Sequence, residues 1–127
     1  MPTEATVKRI SQKRAEFALE RIQHLQPNMR NGFQKKVKGA PAMILQNGLG
    51  EALAFMLGKD DHKEVAKAVM AWLTKEGILP ASNSNPTPGD LIRGINGLSL
   101  PDYLRSQREA LEVLAWLKRY ADAKLWE

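Results

Sequence analysis

The sequence predicts an all-α fold, a single-domain bundle of five to six helices spanning residues 1–127, and three observations carry that prediction. Apolar residues return at helical spacing in successive segments of the chain. Proline, glycine and small polar residues punctuate the junctions between those segments. Runs that alternate apolar and polar residues, the mark of a half-buried strand, are absent, and β-branched residues are few.

The first segment, residues 5–25, sets Ile10, Phe17, Ala18, Ile22 and Leu25 on one face and Arg9, Lys13, Glu16 and Glu20 opposite, with Pro27 as its stop. Asn28 is a suitable cap for a short helix over 29–38, whose stripe is Met29, Phe33 and Val37 and whose end is Gly39. Pro41 then opens a segment that is apolar nearly all round as far as Leu57, which predicts one central helix over 41–57 with Ile44, Leu45, Gly48, Ala52 and Phe55 buried. Gly48 and Gly50 each cost that helix about 1 kcal/mol relative to alanine, so another backbone is expected to approach closely there. A fourth helix covers 62–76, with Ala66, Val69, Met70 and Leu73 as its stripe and Val65 and Trp72 beside it. Residues 77–89, rich in Pro, Gly, Ser and Asn, read as a flexible loop, followed by a short helical turn from Thr87 through Ile95. Ser99, with Asp102 three residues on, starts the last helix, about 99–124. Its stripe is Tyr103, Ala110, Leu114, Leu117 and Ala121, and Arg105–Glu109, Arg108–Glu112 and Lys118–Asp122 are spaced as i, i+4 ion pairs.

At 127 residues, 43% of them hydrophobic, the chain is long enough for one substantial core. It has no cysteine, so disulfide and thiolate chemistry are excluded, and a reducing, cytoplasmic setting is compatible. No apolar run reaches 18 residues, so no membrane span is expected, and the N-terminus lacks the apolar core of a secretory signal. The net charge of +5 is uneven. Residues 1–38 hold nine Lys and Arg against three Glu, whereas acids match or exceed bases in the remainder. A basic first third suits a polyanionic partner, with a solubilising surface as the plainer explanation.

Little in the chain suits catalysis. His24 and His62 are the only histidines, and no i, i+4 ligand pair stands on a helix, so neither a metal nor a cofactor is expected. Asp60-Asp61-His62 is more simply a helix start, with Asp60 or Asp61 as the cap. Asn47-Gly48-Leu49-Gly50 lacks the spacing and the preceding strand of a phosphate loop. No carboxylate dyad or nucleophile elbow is present, so no catalytic residue and no small-molecule substrate are expected. Binding is better supplied. Arg14 and Arg21 share a helix face with Phe17 between them, and Lys35, Lys36 and Lys38 follow. Phe17 fits the core better than it fits a base stack; Trp116 and Tyr120 suit a protein contact as well as an RNA contact.

The stretch APAMILQNGLGEALAFML carries Pro41, Met43, Ile44, Asn47, Gly48, Leu49, Ala54 and Phe55 in a distinctive order. It resembles the signature of the small helical subunit family of the type III-B CRISPR (Cmr) effector complex. QKRAEFA, Gln12 to Ala18, is similar to that family's first helix, and REALEVLAWLKRYA, Arg108 to Ala121, to its closing helix with Trp116, Lys118 and Arg119 in place. Residues 77–98 are shorter and less helical than the family pattern, which bears on the connection into the last helix. The resemblance implies a helical, non-catalytic subunit that stacks with copies of itself into a filament. That filament lies beside the subunits that hold the guide RNA, so the implied partners are other Cmr subunits, further copies of this chain, and guide or target RNA. The expected RNA surface comprises Lys13, Arg14, Arg21, Lys35, Lys36 and Lys38, extended by Arg105 and Arg119, and meets phosphates because no base-reading module is present. The rival expectation is a stand-alone helical adaptor for an acidic protein.

Overall fold

A computed structural model describes residues 4–79 and 85–127, with side chains described from residue 9 onward. Among the described residues there are seven helices and no strand: α1 Glu4–Gln23, α2 Pro27–Val37, α3 Ala40–Asn47, α4 Leu49–Leu57, α5 Asp60–Lys75, α6 Pro88–Asn96 and α7 Leu100–Asp122. The all-α prediction holds, and the helix count exceeds five to six for a local reason at Gly48.

Gly48 adopts φ 87°, ψ 159°, a conformation open in practice to glycine alone. The expected single helix over 41–57 therefore breaks into α3 and α4. The group that approaches the break is a side chain, not a backbone: the Tyr103 hydroxyl lies 3.0 Å from where a Cβ on Gly48 would stand. That hydroxyl accepts from the Gly50 N–H at 3.0 Å, and Gln107 Oε1 accepts from the Leu49 N–H at 3.1 Å. Two side chains of α7 thus satisfy donors that the start of α4 leaves open. The turn at Gly48 also redirects the apolar faces. Ile44 and Ala52 are buried as expected and Gly48 partly so, but Leu45 is 67% exposed and Phe55 48% exposed.

The expected central helix is thereby displaced from the centre. That place belongs to α5, which buries Val65, Ala66, Ala68, Val69, Met70, Trp72 and Leu73, and to α7, which buries Ala110, Val113, Leu114, Leu117 and Ala121. Helices α1, α2 and α4 pack against both α5 and α7, and α3 packs against α7. From α1 come Ala18 and Ile22, with Leu25 just beyond its end; Ile10, expected on the apolar face, is exposed.

Helix ends follow local chemistry, with some corrections. Pro27 begins α2 rather than merely stopping α1, and the residue before it, Gln26, is extended as a pre-proline residue tends to be, so Asn28 is not the cap. Lys59, not Asp60 or Asp61, occupies the cap position of α5, and no side chain caps that end. The expected loop over 77–89 is partly structured. Gly77, at φ 71°, turns the chain off α5, the N–H groups of Ile78 and Leu79 donate to the Leu73 carbonyl at 3.0 and 3.2 Å, and both side chains enter the core. The middle of that loop, 80–84, lies outside the described residues. Thr87 and Asp90 form a reciprocal capping box at 3.1 and 3.0 Å, so the expected turn is the full helix α6. Ser99 caps α7 as expected, accepting from the Asp102 N–H at 3.4 Å.

Candidate nucleic-acid interface

The cations singled out in the sequence fall on three helices. Lys13 and Arg21 stand on α1, exposed and half-buried respectively. Lys35 is exposed and Lys36 half-buried on α2, with Lys38 exposed just past its end. Arg105 and Arg119 are exposed on α7, where the Arg119 guanidinium lies 5.4 Å from the Trp116 ring centroid, a cation–π contact. Trp116 and Tyr120 are half-buried and pack together with ring centroids 5.6 Å apart.

Arg14 differs from the rest. Its Nε and Nη2 donate to the two carboxylate oxygens of Glu109 at 2.5 and 3.0 Å, with side chains only 19% and 16% exposed. The Trp72 indole N–H donates to the same carboxylate at 3.0 Å. Burial pushes the Glu109 carboxyl up, but the hydrogen bonds from Arg14 and Trp72 and the Arg14 charge outweigh it, and the group lies below the usual glutamate range. The hydrogen bond to Glu109 raises Arg14 correspondingly, against burial. A bidentate pair joined to an indole donor ties α1, α5 and α7 together. Glu109 therefore pairs with Arg14, and Arg105, spaced to pair with it at i, i+4, acts on it only through its charge. Asp122 likewise reaches across to Lys38, at 3.6 Å, rather than along its own helix to Lys118.

Lys13, Arg21, Lys35, Lys36, Arg105 and Arg119 form no ion pair among the described residues.

One group escaped the sequence reading. Phe55, expected in the core, is exposed; Lys59 Nζ lies over its ring, 5.7 Å from the centroid, a cation–π contact, and the His62 ring stands 5.7 Å away at 74°. Burial, and then the Lys36 charge, lower the His62 pKa, which favours the neutral imidazole. No periodicity could have revealed this cluster, because it depends on the turn at Gly48. A cleft of about 360 Å³ adjoins Phe55, lined also by Met43, Gln46, Asn47, Glu51 and Ala52. Among the described residues, no group of three or more His, Asp or Glu side chains is placed to hold a metal ion.

Comparison with known proteins gives concordant results. The family model described as CRISPR-associated protein (Cas_Cmr5) matches residues 10–124. A protein of Thermotoga maritima named CRISPR system Cmr subunit Cmr5 is 28% identical over 122 residues, covering 94% of this chain and 87% of that protein. A protein of the same name from Thermus thermophilus is 28% identical over 120 residues, covering 92% of this chain and 96% of that protein. The crystal structure of a CRISPR-associated Cmr5 family protein from Thermus thermophilus superposes with a TM-score of 0.71 at 27% identity, covering 89% of this chain and 95% of that one.

Proposed function

The chain belongs to the Cas_Cmr5 family of CRISPR-associated proteins, and on that premise we propose that it is a non-catalytic small subunit of a cytoplasmic type III-B Cmr complex. In this reading it stacks with further copies of itself beside the guide-RNA backbone and presents a basic surface to guide and target RNA. The observation that carries the proposal is the family match along residues 10–124, nearly the whole chain. It is supported by Lys13, Arg21, Lys35, Lys36, Arg105 and Arg119, which form no ion pair among the described residues, together with Lys38. Arg14, locked to Glu109, belongs behind that surface rather than on it. Such cations meet phosphates, so binding is sequence-independent and salt-sensitive.

The test uses the assembled complex. A tagged chain should co-purify with the other Cmr subunits. Replacing Lys35, Lys36 and Lys38 by Glu should leave assembly intact, lower target-RNA affinity and flatten its dependence on salt. Each lost phosphate contact should reduce the log–log salt slope by about 0.7 on single strands and about 0.9 on a duplex. Co-purification with an acidic protein alone, and no Cmr subunit, would favour the stand-alone adaptor. An unchanged slope in the assembled variant would mean that the α2 face meets protein or solvent.

A further inference from the structure

Phe55 is a large ring left half in water at a place built by three helices. It stands near the end of α4, Lys59 precedes α5, His62 lies in the first turn of α5, and Lys36 of α2 is near enough to His62 for its charge to act there, against that of Asp61. Neither Lys59 nor Lys36 has a carboxylate partner among the described residues. His62 packs at near right angles to the ring, with its own Nδ1 buried, which helps hold the ring in place. Phe55 also lines the cleft between α3 and α4, together with apolar Met43 and Ala52 and polar Gln46 and Asn47. At about 360 Å³ it falls within the range of small ligand sites, about 300–1,000 Å³.

We propose that Phe55 is a stacking platform for one base of single-stranded RNA, with the adjoining phosphates on Lys59 and Lys36 and the base edge met by the amides of Gln46 and Asn47. The proposal rests on the RNA-facing reading above and adds an aromatic site to it. The surroundings of the ring favour RNA over a protein plug. Interface cores between proteins are depleted in lysine, whereas single-strand sites set an aromatic face beside cations. Glu51 also lines the cleft. It repels phosphate but accepts from an exocyclic amine, which places the backbone of the strand on the Lys59 side.

The experiment uses the complex assembled with the unsubstituted chain or with Phe55→Ala, Phe55→Trp or Lys59→Gln, and a target RNA carrying 5-iodouridine. With the unsubstituted chain, irradiation should join the RNA to the peptide that holds Phe55. Phe55→Ala should weaken RNA binding about 5- to 150-fold with the salt slope unchanged. Phe55→Trp should retain affinity. Lys59→Gln should reduce the slope by about 0.7. Failure of Phe55→Ala to enter the complex, with its circular dichroism unchanged, would mean that the ring meets protein and would overturn the proposal. Should Phe55→Ala fail to fold, the crosslink on the unsubstituted chain decides alone, and its absence overturns the proposal. If Phe55→Ala leaves affinity untouched while Lys35, Lys36 and Lys38 changed to Glu weaken it, only the platform fails. If both leave it untouched, the RNA-facing reading fails as well.

Discussion

Arg14 and Glu109 are 95 residues apart, and their pairing is a tertiary event. On its own helix Arg14 is one more member of a basic row. In the fold it is the partner of a carboxylate that also accepts from Trp72. Arg14→Leu takes two N–H donors from that carboxylate and leaves it only Trp72, and the expected cost is about 1.5–3 kcal/mol, measured as a shift in urea midpoint. The effect depends on pH. Glu109 sits below its ordinary pKa in the folded state, so its contribution is complete above the unfolded value, about 4.3, and is lost as pH falls through the folded value. The difference between wild type and Arg14→Leu should accordingly shrink in acid, and a constant difference down to about pH 2 would show that the charge pair is not its source. Phe55 gives the opposite correction. A fully buried ring would cost about 3–5 kcal/mol on truncation to alanine. At 48% exposure, Phe55→Ala should cost only about 1–1.5 kcal/mol.

At the scale of an element, the junction of α3 and α4 determines what the apolar segment does. Gly48→Ala meets two obstacles, a positive φ and the Tyr103 hydroxyl 3.0 Å from the new methyl. It should destabilise by about 1–3 kcal/mol. Tyr103→Phe removes the hydroxyl and with it the bond from the Gly50 N–H, which should cost about 0.5–1.5 kcal/mol. The two changes should not add. Once Tyr103→Phe has removed the hydroxyl, the collision is relieved, and the double variant should be more stable than the sum of the singles predicts, leaving only the backbone strain. Strict additivity in a double-mutant cycle would mean that the hydroxyl contact is irrelevant. The start of α6 offers a simpler case. Thr87→Ala deletes one half of the capping box and should cost about 1 kcal/mol in the same assay.

Across the whole molecule, the buried side chains form one cluster to which every helix contributes, from Ala18 and Ile22 of α1 to Ile95 of α6 and Ala121 of α7. One core predicts one transition. Far-ultraviolet circular dichroism and tryptophan fluorescence should report coincident urea midpoints, with Trp72 buried in the core while Trp116 and Trp126 lie at its margin. Separated midpoints would show that some helices melt on their own.

The class of the fold, most helices, the cap at Ser99 and the family were all legible in the order of residues. Those features are local: periodicity, proline and glycine punctuation, and an ordered run of residues from Pro41 to Phe55 all act within a few turns of the chain. The uneven charge was equally plain, since it is a matter of counting. Which residues of an almost wholly apolar segment face water was settled by packing, because a helix apolar on every side carries no phase information. Gly48 and the α7 residues Tyr103 and Gln107, more than 50 residues further along the chain, supply that phase. The same holds for the basic row. Spacing places Arg14 and Arg21 on one face, yet Arg14 is consumed by Glu109, whose carboxylate is partly desolvated and requires a strong donor, while Arg21 forms no ion pair among the described residues. Periodicity tells which side of a helix is apolar; what a given charge meets depends on which helix packs there.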